Sequence, residues 1–269
     1  MAELMANNDK KSVQPRIAIG FFGITRSLKW TLSSIQKNII EPARNLGDVR
    51  LFAHLYQQEY VLNPRSGEDH PMDPHEHQLL ECDEIKLEKP GTCLAAANYE
   101  WVRSYGDAFH DNGKSLANLI HQLHSLQQVG RMMNEWKPDL YVLTRPDLLY
   151  HNSFYQVLVD QLKSPSNSLT LPNWQWFGGY NDRFAICRPD AGTTYTNRID
   201  LISEYLLRTG GPLPAERFLR FNLHKNKVAL NFCDLKASRV RANGEKVEEN
   251  FNQISFTKRM KRYFQKYFD

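Results

Sequence analysis

The sequence is short of several features that would narrow its class at once. No run approaches the roughly 18 consecutive apolar residues that a membrane-spanning helix needs. Met1 to Gln14 is polar and lacks the apolar core of a signal peptide, so residues 1–15 are expected to form a disordered tail. Only four cysteines occur (Cys82, Cys93, Cys187 and Cys233), dispersed and without a C-x-x-C pair. That spacing argues against a disulfide framework or a cysteine-rich zinc site and fits buried thiols in a reducing compartment. There is no internal repeat and no low-complexity block. There is no G-x-S-x-G elbow and no Cys–His nucleophile motif. Charge of one sign is also scarce: the formal net charge is +4, and the basic residues are spread along the chain. With no recognised module or dense basic face, no nucleic-acid partner is expected. The one concentrated exception is Lys258 to Lys266 at the C-terminus.

What is present fits a globular domain. The chain has 269 residues, 41% hydrophobic and 24% charged, which suits one large α/β unit. Arg16 to Gly23 reads as a buried strand, and Leu28, Leu32, Ile35 and Ile39 then recur at helical spacing up to Pro42. Val49 to Tyr56 is the next apolar run, so strand, helix and strand open a parallel unit. Gln57 to Pro90 has little periodicity and several proline and glycine breaks, and is expected to be a long surface excursion. Ser115 to Trp136 carries one apolar stripe and reads as a long helix. Leu140 to Leu143, Ser168 to Leu171, Arg183 to Cys187 and Lys227 to Phe232 are strand candidates. Helical patterns surround Tyr195 to Leu207 and Glu216 to His224. The expectation is an α/β fold over residues 16–250, with a mostly parallel central sheet flanked by helices.

Three stretches carry chemistry. Gly20 to Arg26 lies at a strand-to-helix turn, where glycines let backbone N–H groups approach a phosphate and a helix start adds positive potential. It is neither a Walker loop, since no Gly-Lys-Ser/Thr follows it, nor the full G-x-G-x-x-G fingerprint. In Asp139 to Leu148 an apolar strand delivers Arg145 and Asp147 to its carboxyl end, with Pro146 stiffening the backbone between them. A guanidinium there can neutralise phosphate, and a carboxylate can hold a cation or a sugar hydroxyl. A plain salt bridge at a turn is the other reading. Trp174 to Phe184 sets aromatic rings beside Gly178-Gly179 and Asn181-Asp182-Arg183, which suits sugar recognition or, equally, a hairpin with core tryptophans.

Together these stretches resemble a known group. Ile17-Ala18-Ile19 followed by Gly23 and Arg26, then D-L-Y-V-L-T-R-P-D-L from Asp139, then G-G-Y-N-D-R-F-A-I from Gly178, are similar to motifs of small bacterial and viral glycosyltransferases. Those enzymes serve surface polysaccharide synthesis and are similar to the GT-A nucleotide-diphospho-sugar transferase fold. The resemblance extends to Pro214-Ala215-Glu216 and to Arg239-Val240-Arg241, covering roughly residues 16–241. It implies a GT-A-like α/β domain that moves a sugar from a nucleotide-diphosphate-sugar donor to a glycan or glycolipid acceptor. Under this reading Gly20, Gly23, Arg26, Arg145, Asp147, Arg239 and Arg241 bind the donor. Trp174, Trp176, Tyr180 and Asn181 bind the acceptor, and Asp182 is the leading catalytic base with Glu216 next. The resemblance also implies Mg²⁺ or Mn²⁺, yet Arg145-Pro146-Asp147 stands where an Asp-x-Asp motif is usual. Either Asp147 holds the metal with other oxygen donors, or Arg145 supplies part of its charge.

Other features have plainer readings. His121 and His124 lie three apart on the long helix, where surface histidines are expected ahead of a two-histidine metal site. Asn118, Gln122 and Ser125 form a polar stripe on that helix. Asp69, His70, Asp73, His75, Glu76 and His77 have ligand-type side chains in a proline-broken loop. Residues 251–269 read as a basic amphipathic helix, packed on the domain or laid on an anionic membrane surface. The second arrangement would put a cytoplasmic protein at the inner face of a membrane, beside a lipid-linked acceptor. The competing functions are a non-catalytic glycan- or nucleotide-binding relative and, less well supported by Gly20, Gly23 and Arg26, a nucleotidyltransferase.

Overall fold

The computed structural model describes residues 14–63 and 66–252. The expected tail, apart from residues 14 and 15, and the expected C-terminal helix, apart from residues 251 and 252, lie outside the described residues. The first half of the fold starts with β1 (Arg16–Gly23) and α1 (Leu28–Ile35), which passes through a π turn into α2 (Glu41–Arg44). β2 (Asp48–Tyr56), the hairpin β3 (Tyr60–Asn63) and β4 (Glu68–Pro71), and β5 (Glu84–Glu88) follow. Next come α3 (Thr92–Ala96), α4 (Tyr99–Ser104) and the long α5 (Lys114–Trp136). The second half contains β6 (Leu140–Thr144), β7 (Leu148–Tyr150), α6 (Tyr155–Leu162), β8 (Ser168–Pro172) and β9 (Phe184–Cys187). It ends with α7 (Pro189–Thr196), α8 (Ile202–Thr209), α9 (Ala215–Lys225), β10 (Ala229–Cys233) and β11 (Ala237–Arg239).

Seven strands form the central sheet in the order β10-β8-β9-β6-β1-β2-β5. β9 pairs antiparallel with both β6 and β8, and every other pairing in this sheet is parallel. The expected α/β fold with a mostly parallel sheet flanked by helices is therefore what the structure shows. β1 explains the layering. Ile17, Ile19 and Phe21 join one buried cluster with Leu28 and Ile35 of α1 and Leu158 of α6. Ala18 and Phe22, on the other face, join Val129 and Met133 of α5 and Leu219 of α9. A strand covered on both faces must be apolar at successive positions, which is why β1 reads as a continuous run rather than an alternation.

The excursion expected at 57–90 holds more structure than its sequence promised. It contains the β3–β4 hairpin, a 3₁₀ turn at Glu76–Leu80 and β5, the edge strand of the main sheet. β5 is Glu84-Ile-Lys-Leu-Glu88, largely exposed, and charged side chains suit an unpaired edge while hiding its strand character. Among the described residues no helix is long and apolar enough to cross a membrane.

Candidate functional site

Because six strands run the same way, their carboxyl ends gather on one edge of the sheet, where open α/β folds hold ligands. The turn after β1, the Arg145–Asp147 turn after β6 and the Asn181–Arg183 segment entering the reversed β9 all reach that edge. A cleft of about 1200 Å³ opens there. Its walls come from these turns, from the polar stripe of α5, from the β3–β4 hairpin and from the start of α9.

Arginines dominate the floor. Arg26 donates from Nη2 to Asp147 Oδ2 at 2.5 Å and from Nη1 to Glu68 Oε2 at 2.9 Å. Arg145 holds the same Asp147 through Nε to Oδ1 at 2.9 Å and Nη2 to Oδ2 at 2.6 Å. Arg241 reaches Glu68 Oε2 at 2.8 Å. Arg239 and Arg183 share the two oxygens of Glu249, at 2.8 and 3.0 Å. Within this network five guanidiniums are thus set against three carboxylates, an excess of two positive charges, while Asp107, Asp182, Glu216 and Arg217 line other parts of the cleft. Burial alone would raise the Asp147 carboxyl, but the charges of Arg145 and Arg26 outweigh it and hold the group well below the usual carboxylate range. Burial opposes the Arg145 charge as well, and Asp147 overcomes it, so that guanidinium stays firmly protonated. At Arg183 burial wins over Glu249 and brings the guanidinium down to about 10.

In the segment from Asn173 to Arg183, residues 174–177 turn inward and outward by alternation. Trp174 and Trp176 are buried, their indole N–H groups donating to the carbonyls of Leu235 at 2.8 Å and Pro172 at 2.9 Å. Gln175 and Phe177, between and after them, line the cleft, and both hold positive φ, 48° and 41°. Gly179 then passes so near the first turn of α9 that a Cβ there would lie 1.7 Å from the Glu216 carbonyl oxygen. Only glycine allows that approach. The Tyr180 N–H donates to the same carbonyl at 3.0 Å, fixing the segment to α9. Asp182 and Glu216 consequently border one cleft, and Asp182 Oδ2 accepts from Gln122 Nε2 of α5 at 3.0 Å.

The structure brings Gly23, Arg26, Arg145, Asp147, Arg239, Arg241, Asn181, Asp182 and Glu216 to the cleft wall. It does not bring Gly20, Trp174, Trp176 or Tyr180 there. Gly20 lies mid-strand under α5, where a Cβ would meet Met133 Sδ at 2.5 Å, so its smallness serves packing. Tyr180 is buried, with its hydroxyl 2.8 Å from His224 Nε2. The tryptophans follow the hairpin-core reading, because in this segment Gln175 and Phe177 face outward instead. Asn181 uses its amide to hold the segment, donating to the Trp174 carbonyl and accepting from the Arg183 N–H. Sequence reasoning missed Glu68 and Glu249, which are anonymous surface-type acids until the hairpin and the chain after β11 fold over. It also missed Phe177, whose neighbours drew attention away from it.

A Mg²⁺ or Mn²⁺ ion does not fit at Asp147. Both carboxylate oxygens already accept from guanidiniums, and the partner acid of an Asp-x-Asp motif is Arg145. Of the remaining acids in the floor, Glu68 and Glu249 are committed to arginines too.

No protein-family model matches the chain, and no curated protein does. Among solved structures it is similar to mouse xyloside xylosyltransferase 1 in its apo form, at 11% identity, with 82% of this chain and 86% of that one covered and a TM-score of 0.42. It is also similar to the galactosyltransferase LgtC in complex with donor and acceptor sugar analogs, at 8% identity, with 81% and 73% covered and a TM-score of 0.46. Overlaps of this extent assign no residue a role, and the chemistry of the cleft rests on its own side chains.

Proposed function

We propose that this chain is a glycosyltransferase that takes a sugar from a nucleotide-diphosphate-sugar donor and uses arginines where related enzymes use a metal. The observation that carries the reading is the excess of two positive charges in the arginine network at the carboxyl edge. In the transfer, the bond from the anomeric carbon to the diphosphate oxygen breaks while a bond to the acceptor oxygen forms. The leaving diphosphate gains negative charge, and preorganised guanidiniums stabilise it without reorganising at the moment of reaction. Arg26, Arg145, Arg239 and Arg241 take that role, with Asp147 and Glu68 fixing the planes of Arg26, Arg145 and Arg241 and Glu249 that of Arg239. The acceptor hydroxyl must lose its proton to a base, and Asp182, oriented by Gln122, is the leading group, with Glu216 across the same cleft. Phe177, exposed on the rim, offers a ring face to the acceptor sugar in place of the buried tryptophans.

A glycan or glycolipid acceptor, a role in surface polysaccharide synthesis, and action at the inner face of a membrane through residues 251–269 extend the same proposal. The loss of the Asp-x-Asp pair favours one other reading, a nucleotide- or glycan-binding relative without turnover. A screen of nucleotide sugars against saccharide acceptors, reading release of free nucleoside diphosphate, separates the two. Release with sugar transfer is the expected result. Saturable donor binding with no release would leave the binding protein, and no binding of any nucleotide sugar would overturn both.

A further inference from the structure

Behind the β1 turn, on the α5 side of the sheet, three ligand-type side chains converge from three elements. His54 lies on β2, Glu88 ends β5 and His124 sits on α5, and one ligand atom from each falls within 4.8 Å of the others. We propose that these three residues bind a divalent transition-metal ion of the zinc class, at a site separate from the arginine-lined floor of the cleft and independent of the sugar-transfer reading.

Hydrogen bonding fixes the state of His54. The Ser125 hydroxyl donates its single proton to the His54 carbonyl at 2.6 Å and accepts from the Gly23 N–H at 2.9 Å. Toward His54 Nδ1, 3.1 Å away, that oxygen can only accept, so Nδ1 carries the ring proton. Nε2 is left as a bare lone pair. It is buried, has no hydrogen-bond partner among the described residues, and lies 3.3 Å from Glu88 Oε1. A lone pair facing a carboxylate oxygen is unfavourable unless a positive charge lies between them, either a second ring proton or a metal ion. His124 Nδ1 stands 3.8 Å from the other Glu88 oxygen. Zn–N and Zn–O bonds of about 2.0–2.1 Å at the tetrahedral angle separate neighbouring ligand atoms by about 3.3 Å, so the three atoms, within 4.8 Å of one another, must draw in around the ion, His124 moving most.

The donor types choose the ion. Two imidazoles and one carboxylate suit Zn²⁺ or Co²⁺, whereas Mg²⁺ and Ca²⁺ prefer oxygen donors throughout. A fourth position faces solvent beside the partly exposed His124 and Glu88. The surroundings can accept the ion. Without the ion the Tyr56 hydroxyl donates to Cys93 Sγ at 3.3 Å and so accepts the His124 Nδ1 proton at 2.8 Å; the ion takes that proton's place and moves it to Nε2. Gln128, against His124 Nε2, orients the ring by accepting its proton once the amide is turned over. The competitor is Lys86, whose ammonium sits 2.9 Å from Glu88 Oε1 on a half-exposed side chain free to swing away. Through Ser125, which holds both His54 and the Gly23 N–H, the ion would stiffen the turn that opens the cleft.

The test uses the full chain, stripped of metal with a chelator and dialysed, then titrated with Co²⁺ and Zn²⁺. The readouts are the visible Co²⁺ spectrum and the thermal midpoint. One equivalent should give a tetrahedral-type Co²⁺ spectrum and raise the midpoint. His124→Gln and Glu88→Gln should each weaken binding by more than the roughly 10–100-fold that an outer-shell partner is worth. Lys86→Met, which removes the competing cation, should tighten it. His54 is buried and its variants are vulnerable to misfolding, so the two partly exposed ligands carry the decision. Absence of one-equivalent binding, or binding that survives His124→Gln and instead disappears in a His75→Gln/His77→Gln double variant, would overturn the site.

Discussion

Arg26 and Asp147 lie 121 positions apart in the chain and meet at 2.5 Å on the floor of the cleft. The contact joins the turn after β1 to the turn after β6, two strands that are neighbours in the sheet. Arg145 closes on the same carboxylate from the other side, so one buried acid positions two guanidiniums at once. Asp147 is 1% exposed, and that burial decides its part. A carboxylate so enclosed orients cations and does not itself reach a substrate.

The first prediction concerns what Asp147 holds in place. Asp147→Asn keeps the shape but leaves two guanidiniums short of their counter-charge. We predict a loss of about 3–5 kcal/mol in urea unfolding, the range for breaking a buried pair from one side. The native carboxyl is depressed, so its stabilisation is present at neutral pH. It begins to be lost as the pH falls below about 4, where the unfolded chain takes up a proton that the folded chain still refuses, and goes on falling toward the depressed folded value. Glu249, lowered by Arg183 and Arg239 against the effect of its burial, adds in the same direction. The wild-type urea midpoint should therefore drop from pH 6 to pH 3 more steeply than that of the variant, and parallel slopes would remove Asp147 from the account.

Proton transfer is tested at the two acids bordering the cleft. With Asp182 as base, Asp182→Asn should lower turnover by about 100-fold or more with donor affinity nearly unchanged. Glu216→Gln should have the smaller effect. The reverse order in single-turnover measurements would move the proton to Glu216.

Phe177 gives a prediction in which stability and function move oppositely. Its φ of +41° is unfavourable for a bulky residue, and 64% of it is exposed, so little packing offsets the strain. Phe177→Gly should raise stability by up to about 1 kcal/mol. Loss of a stacking ring should raise the acceptor KM roughly 3–10-fold, with donor binding unaffected. An unchanged KM would place the acceptor elsewhere.

Gly179 sets the distance between the Trp174–Arg183 segment and α9. A Cβ 1.7 Å from the Glu216 carbonyl oxygen cannot be relieved by a side-chain rotation, because the obstacle is backbone. Gly179→Ala should cost at least about 2 kcal/mol in denaturant unfolding and spread Asp182 from Glu216. Gly211→Ala, whose Cβ would meet nothing nearer than 4.0 Å, is the neutral control. Equal stability of the two variants would contradict the close approach.

The sheet was legible where its residues obey one rule. β1 and β6 are nearly continuous apolar runs because both faces are covered, β2 is one from Leu51 on apart from His54, and α5 shows a single stripe because one face is. β5 was hidden because an edge strand keeps its charges, and the hairpin that carries Glu68 has too few residues to show a period. The arginines and Asp147 could be picked out from the ends of strands. Their partners could not, because Glu68 is 42 positions from Arg26 and 173 from Arg241, and nothing local marks such a pairing. The tryptophans misled for a similar reason. Composition places rings near a sugar site, but the direction each ring takes depends on the positive-φ turns at Gln175 and Phe177.

The central claim is that guanidiniums, not a metal at Asp147, hold the diphosphate. Calorimetric titration of the full chain with UDP, GDP, CDP and ADP, in EDTA and again with Mg²⁺ or Mn²⁺, tests it directly. The account predicts that at least one nucleoside diphosphate binds in EDTA with a Kd within about twofold of its value with metal. Its affinity should fall as salt rises. Arg145→Gln and Arg241→Gln, each of which leaves the partner acid still paired to Arg26, should weaken it by about 10–100-fold, the worth of a charge-assisted hydrogen bond. Binding that appears only when Mg²⁺ or Mn²⁺ is added, or that both variants leave intact, would contradict it.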